Sequence, residues 1–228
     1  MQARSVLLTL AVFMATLAGP AARLSAEISV ISDCSRQGAP AAFAVIDDFT
    51  AGPGTATVPS TGTAPLTGSG PSSSIAGGVR RAVLNVVVNP FGRPAGLDIR
   101  EGHLVVDTGI RTHHSLTLLY GWNADRSPAD LNLDLRAFDR LRLHFDAVDR
   151  DTAGAVVVWT GGGIVSVPLG APAGEDFCMD LPFADFAGDP ADWSDVQHIA
   201  IVIQSGGLAP AHDYAIRSIS AVVPNPEP

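Results

Sequence analysis

The sequence contains no lysine, so every one of its 14 basic residues is an arginine, against 23 aspartates and glutamates and a net charge of −9. An acidic chain without basic clusters repels phosphate backbones and anionic membrane surfaces, which argues against nucleic acid and lipid headgroups as partners. Cysteine is nearly absent, with only Cys34 and Cys178. Aromatic residues are scarce at 6% and charged residues at 16%, whereas hydrophobic residues make up 46%. A sizeable core can therefore form, built mainly from aliphatic side chains. No Gly-x-Ser-x-Gly nucleophile elbow occurs, and no glycine-rich segment runs into Gly-Lys-Ser/Thr as a phosphate-binding loop would. Long apolar runs are missing beyond the N-terminus, so no membrane span is predicted in the mature chain.

The N-terminus has the parts of a secretory signal: Arg4, a short apolar stretch at 6–17, then small residues ending at Ser25-Ala26 before Glu27. The sequence predicts a signal helix at 1–26, an N-terminal segment at 27–42, one domain at 43–223 and a tail at 224–228. Export places the chain in the periplasm or outside the cell. In an oxidising compartment Cys34 and Cys178 pair; if Cys34 lies in a loose tail, the two thiols stay free. Two cysteines without clustered histidines cannot complete a tetrahedral shell, so no transition-metal site is expected.

Abundant glycine (23) and proline (17) favour many turns and short strands. A first strand at 43–49 ends in Asp47-Asp48-Phe49. The stretch 50–74, rich in Gly, Thr, Ser, Pro and Ala, has no periodicity and predicts a long mobile loop. Strand-length runs follow at 79–88, 103–107, 115–120, 141–147, 155–159, 164–167, 199–203 and 214–223. Alternation is clearest in Leu141-Arg142-Leu143-His144-Phe145-Asp146-Ala147, and Gly161-Gly162-Gly163 marks a hairpin turn. A short helical turn is expected near 183–186. The pattern is that of an all-β, antiparallel β-sandwich.

An ordered set of segments carries a resemblance. Asp47-Asp48-Phe49 opens it. Asp130-Leu131-Asn132-Leu133-Asp134-Leu135 then leads into Phe138-Asp139-Arg140-Leu141-Arg142-Leu143. Phe183-Ala184-Asp185-Phe186, Trp193-Ser194-Asp195-Val196, Ile199-Ala200-Ile201 and Tyr214-Ala215-Ile216-Arg217-Ser218-Ile219 complete it. This resembles the galactose-binding-like jelly rolls, including carbohydrate-binding modules and the complex-I intermediate-associated domain. The resemblance implies a jelly-roll sandwich, and a structural calcium held by Asp47, Asp48 and Asp213; the alternative is two ordinary strand ends with solvated acids. At the C-terminus, Val223-Pro224-Asn225-Pro226-Glu227-Pro228 resembles the start of the sorting signal of exported PEP-CTERM proteins, which implies association with the envelope and extracellular polysaccharide. The apolar helix and basic tail of that signal do not follow, and a proline-rich tail is the alternative.

Sugar recognition needs aromatic platforms flanked by polar side chains. The candidates are Tyr120, Trp122, Asn123, Asp125 and Arg126 with Trp159, for which core packing is the alternative; Trp193 is expected to pack in the core with Phe186. For paired-carboxylate hydrolysis, only Asp47, Asp48, Glu101, Glu175 and Asp213 stand where inspection is worthwhile. His113-His114 would point to opposite faces of a strand and so are expected as surface histidines. The sequence therefore predicts a secreted, non-catalytic binding or matrix module recognising extracellular glycan. A structural or assembly protein with a face for an envelope protein is the second reading, and a glycan-cleaving enzyme the third.

Overall fold

A computed structural model describes residues 29–36, 40–205 and 211–223. The proposed signal and the C-terminal motif lie outside the described residues. Two antiparallel sheets stack face to face. The first contains β1 (Ser29–Ser32), β2 (Ala42–Asp47), β3 (Gly54–Val58), β6 (Ala95–Arg100), β7 (His103–Asp107), β9 (Arg140–Val148), β12 (Gly174–Pro182) and β15 (Tyr214–Val223). The second contains β4 (Gly62–Ser69), β5 (Val79–Val88), β8 (His113–Tyr120), β10 (Thr152–Thr160), β11 (Gly163–Leu169), β13 (Ala187–Gly188) and β14 (Val196–Ser205). The first runs in the order β1-β12-β9-β15-β7-β6-β3, with β2 also on β15, and the second β13-β11-β10-β14-β8-β5-β4. The chain is an antiparallel β-sandwich, as the strand spacing predicts, and of the jelly-roll kind, as the resemblance implies.

The core lies between the sheets and follows from period-two alternation. Leu141, Leu143 and Phe145 of β9 face Ile199, Ile201 and Ile203 of β14 across the sandwich, all fully buried. Each such side chain contributes roughly 2 kcal/mol by leaving water. The Gly161-Gly162-Gly163 turn closes the β10–β11 hairpin, with Thr160 opposite Gly163. Phe183–Asp185 form a 3-10 turn, and Trp193 stacks on Phe183 at 3.9 Å and meets Phe186 edge-on at 5.3 Å.

Residues 50–74 are not one long loop. They hold β3, which pairs with β6 at the edge of the first sheet, and β4, which pairs with β5 at the edge of the second. Their Gly, Ala and Thr side chains are small because the two edges nearly touch. A Cβ on Gly52, whose φ is +61°, would stand 2.6 Å from the Gly68 backbone. Pro65 is tolerated because β4 is an edge strand whose outer side needs no donor. Composition alone reads as a disordered segment; the edge location explains it.

One buried ion pair ties the sheets together. Arg80 on β5 donates from Nη1 to both Asp47 oxygens at 2.9 Å, and from Nη2 to the carbonyls of Ala51 and Gly52. Tyr120 donates its hydroxyl to Asp47, and Phe49 its backbone N–H. Arg80, Asp47 and Tyr120 are fully buried.

Candidate functional site

The strand alternation that sends Tyr120 into the core would send Trp122 there too. Gly121 breaks it with a φ of +92°, and Trp122 turns to the outer face of the second sheet. There Trp122 joins Trp159 of β10 edge-on at 5.7 Å and stacks on His198 of β14 at 4.4 Å. Leu119, Val157 and Ala200 form the floor, with Ile164 beside them. Both tryptophans remain partly exposed. His198 is fixed by Nδ1–H donating to the Gly121 carbonyl at 2.8 Å, and its Nε2 lies 3.4 Å from Asp130. Burial lowers its pKa, against the pull of that carbonyl and of Asp130.

A tight loop borders the ring cluster. Asn123 donates to the Ser127 hydroxyl, and Asp125 accepts from both the N–H and hydroxyl of Ser127. These bonds, the hydroxyl's foremost, hold the exposed Asp125 carboxyl below its usual pKa. Arg126 is exposed at the loop tip with φ +72°. Arg81 of β5 feels its charge: burial lowers the Arg81 pKa first, and Arg126 lowers it further. Neither arginine makes an ion pair among the described residues, and the two stand in the same corner as the carboxylates of Asp125 and Asp130.

Of the sequence candidates, the structure gathers Trp122, Asn123, Asp125, Arg126 and Trp159 at one end of this face. Tyr120 is excluded as a contact residue: it is fully buried, its hydroxyl bound to Asp47. His198, Arg81 and Asp130 join the site unforeseen. His198 precedes the apolar run at 199–203 and falls outside any strand drawn from hydrophobicity alone.

The calcium set does not assemble. Asp47 is occupied by Arg80 and lies opposite Ile219, six positions along β15 from Asp213, a span of roughly 20 Å at strand rise. Asp48 caps its own turn by accepting from the N–H and hydroxyl of Thr50. Asp213 accepts from the Thr108 N–H at 2.7 Å, and burial raises its pKa. Among the hydrolysis candidates, Glu101 sits in an exposed turn at φ +53°. Glu175 and Asp213 line one cleft of about 680 Å³ at the end of the first sheet, over Val105, Ala147 and Ala215.

The histidine pair also departs from expectation. His113 faces outward, but His114 is buried with His212 and Tyr214, their ring centroids 5.4 and 6.0 Å from that of His114. Burial takes the His114 pKa to about 4. The outer face of the first sheet is polar instead of aromatic. Asp180 binds Arg142 through two bonds and Arg140 through one, and Asp146 holds His103 and Arg217.

The fold and this face define a β-sandwich with an aromatic patch on one outer surface. No family model matches the sequence, and no curated protein does. Among solved structures, the chain is similar to the family 11 carbohydrate-binding module of a cellulosomal cellulase of Clostridium thermocellum, at 10% identity and a TM-score of 0.38, covering 84% of this chain and 99% of that one. It is also similar to a family 30 carbohydrate-binding module of another cellulosomal cellulase of Clostridium thermocellum, at 15% identity and a TM-score of 0.34, covering 62% and 83%. An agarase matches at 12% identity and a TM-score of 0.38, covering 63% of this chain and 23% of that one. Scores this low carry no residue across, and the site is read from its own geometry.

Proposed function

We propose that the chain is an exported, non-catalytic module that binds extracellular glycan on the Trp122–Trp159 face of the second sheet. One observation carries the reading: two part-exposed tryptophans at right angles, stiffened by His198, stand beside polar and charged side chains on the outer face of the second sheet. Sugar rings offer apolar C–H faces to such rings and hydroxyls to such neighbours. The first sheet's outer face is less suited, since its charged groups already satisfy one another. Arg81 and Arg126 offer donors, and Asp125 and Asp130 acceptors, to sugar hydroxyls. The Cys34–Cys178 disulfide fits an oxidising compartment and supports export. The C-terminal resemblance adds an envelope setting.

Affinity electrophoresis in neutral and acidic polysaccharides tests the proposal. The protein is expected to be retarded by at least one, and Trp122→Ala to run freely. Retardation unchanged in Trp122→Ala would remove the face from consideration. Release of reducing ends from the same polysaccharides would replace the non-catalytic reading with hydrolysis, for which the Glu175–Asp213 cleft is the place to mutate.

One observation favours the second reading, a module with a protein-binding face. Val87, Val88, Phe91 and Ile110 are exposed at 58, 37, 60 and 52%. They lie at the opposite end of the β5–β8 ladder from Trp122, because Val88 pairs with His113 and Arg80 with Tyr120. A chain retarded by no polysaccharide would leave this reading standing.

A further inference from the structure

The register of β12 against β9 sets Cys178 directly opposite His144, both on the outer face of the first sheet. On the other side of β12, β1 pairs Ile31 with Cys178 and delivers Cys34 in the turn that follows. The sulfur atoms of Cys34 and Cys178 and a ring nitrogen of His144 all lie within 4.8 Å of one another. Cys178 and His144 are buried, whereas Cys34 is half-buried and gives access from solvent. In sequence, the nearest histidine to Cys178 is 20 positions away, so spacing could not reveal this group.

We infer that the Cys34–Cys178 disulfide masks a metal site: once it is reduced, the two thiolates and His144 bind a thiophilic divalent ion such as zinc. A dithiol reductant supplies two electrons and two protons to the S–S bond, giving two thiols and its own cyclic disulfide. The incoming ion then displaces both thiol protons and forms two metal–sulfur bonds. Zinc takes sulfur at about 2.3 Å and imidazole nitrogen at about 2.0 Å in a tetrahedron, so ligand atoms must stand roughly 3.3–3.8 Å apart. The imidazole nitrogen already lies within 4.8 Å of both sulfurs, and the two sulfurs, bonded in the disulfide, must move apart once it is reduced. A water molecule or an anion takes the fourth position.

Asp176 supplies what such sites need around their ligands. Its Oδ1 lies 2.9 Å from His144 Nε2, the carboxylate–histidine arrangement that fixes ring orientation and makes the other nitrogen a better donor. The same carboxylate accepts from the Ser35 N–H and hydroxyl, one residue from Cys34. It therefore holds both the imidazole and the turn bearing Cys34. Together with the β1–β12 ladder, this keeps the three ligands near one another without the covalent bond.

The test uses the purified full chain, oxidised and phosphine-reduced, titrated with Co²⁺ and then displaced by Zn²⁺. The reduced protein is expected to bind one Co²⁺ with thiolate-to-cobalt charge-transfer absorption and tetrahedral d–d bands. The oxidised protein is expected to show neither. His144→Ala should abolish the tetrahedral bands, and Asp176→Asn should weaken binding on the order of 10- to 100-fold. Circular dichroism accompanies each titration. The proposal is overturned if reduction melts the sheet, if the reduced chain gives no charge-transfer band, or if His144→Ala binds as well as the parent.

Discussion

Asp47 at the end of β2 and Arg80 near the start of β5 form an ion pair across the two sheets, with neither side chain reaching solvent. Burial pushes the Asp47 carboxyl up, and Arg80, the Phe49 N–H and the Tyr120 hydroxyl pull it back. Removing one partner leaves a buried charge without its counterion. Asp47→Asn is expected to cost roughly 3–5 kcal/mol in urea unfolding. Tyr120→Phe loses a single bond to a charged group and should cost about 2 kcal/mol. The double substitution Asp47→Leu with Arg80→Met should cost less than Asp47→Asn alone; an additive loss would mean the pair is not coupled.

His114 and His212 make folding sensitive to mild acid. Burial lowers both pKa values, His114 from 6.5 to about 4. The folded state therefore binds fewer protons than the unfolded chain, and stability is full above pH 6.5 and falls as pH drops towards 4. For His114 alone the loss amounts to roughly 3 kcal/mol. His212 packed beside it and His113 next to it in the chain add repulsion, while the Thr112 backbone bond works the other way. Urea unfolding at pH 7 and pH 5 checks this, and His114→Gln should flatten the slope by up to about 1.4 kcal/mol per pH unit.

Gly121 is the pivot of the aromatic face. A Cβ there would meet the Gln197 carbonyl at 2.4 Å and His198 Nδ1 at 2.6 Å, on a backbone at φ +92°. Gly121→Ala is expected to push His198 off its carbonyl and to displace Trp122. Tryptophan fluorescence should shift and stability fall by about 2 kcal/mol or more. An unchanged spectrum would mean that Trp122 is set by its ring contacts alone.

The disulfide closes a loop of 144 residues. In the chain-entropy account its loss, in Cys34→Ser with Cys178→Ser, costs about 4–5 kcal/mol. Because β1 is an edge strand beyond β12, a smaller loss in denaturant with faster exchange of the β1 amides would show that the bond constrains that edge more than the whole fold.

Much of the sandwich was legible because strands bury alternate side chains. The boundaries read at 79–88, 103–107 and 214–223 agree with β5, β7 and β15. What escaped had no such signature. The β3 and β4 edges are written in glycine, alanine and threonine, whose small size serves a close approach visible only in three dimensions. In β12, Phe177, Cys178, Met179, Asp180 and Leu181 are all buried, with Asp180 paired to arginines on the outer face, so no apolar alternation appears. The site was half legible. Tryptophans near a turn are conspicuous, but Tyr120 and Trp122 share a parity, and only the glycine between them sends one inward and one outward. The resemblance gives Asp47 to calcium, and its guanidinium partner, 33 positions away, carries no signal in the sequence.

The two flanks of the sandwich are closed by opposite means. Beside β3 and β4, bare backbones lie against each other at Gly52 and Gly68, while beside β13 the rings of Phe183, Phe186 and Trp193 are wedged in. Adding a methyl to the first flank would prise the layers apart; trimming a ring from the second would let them sag inward. The same molecule thus fails by swelling at one edge and by collapse at the other.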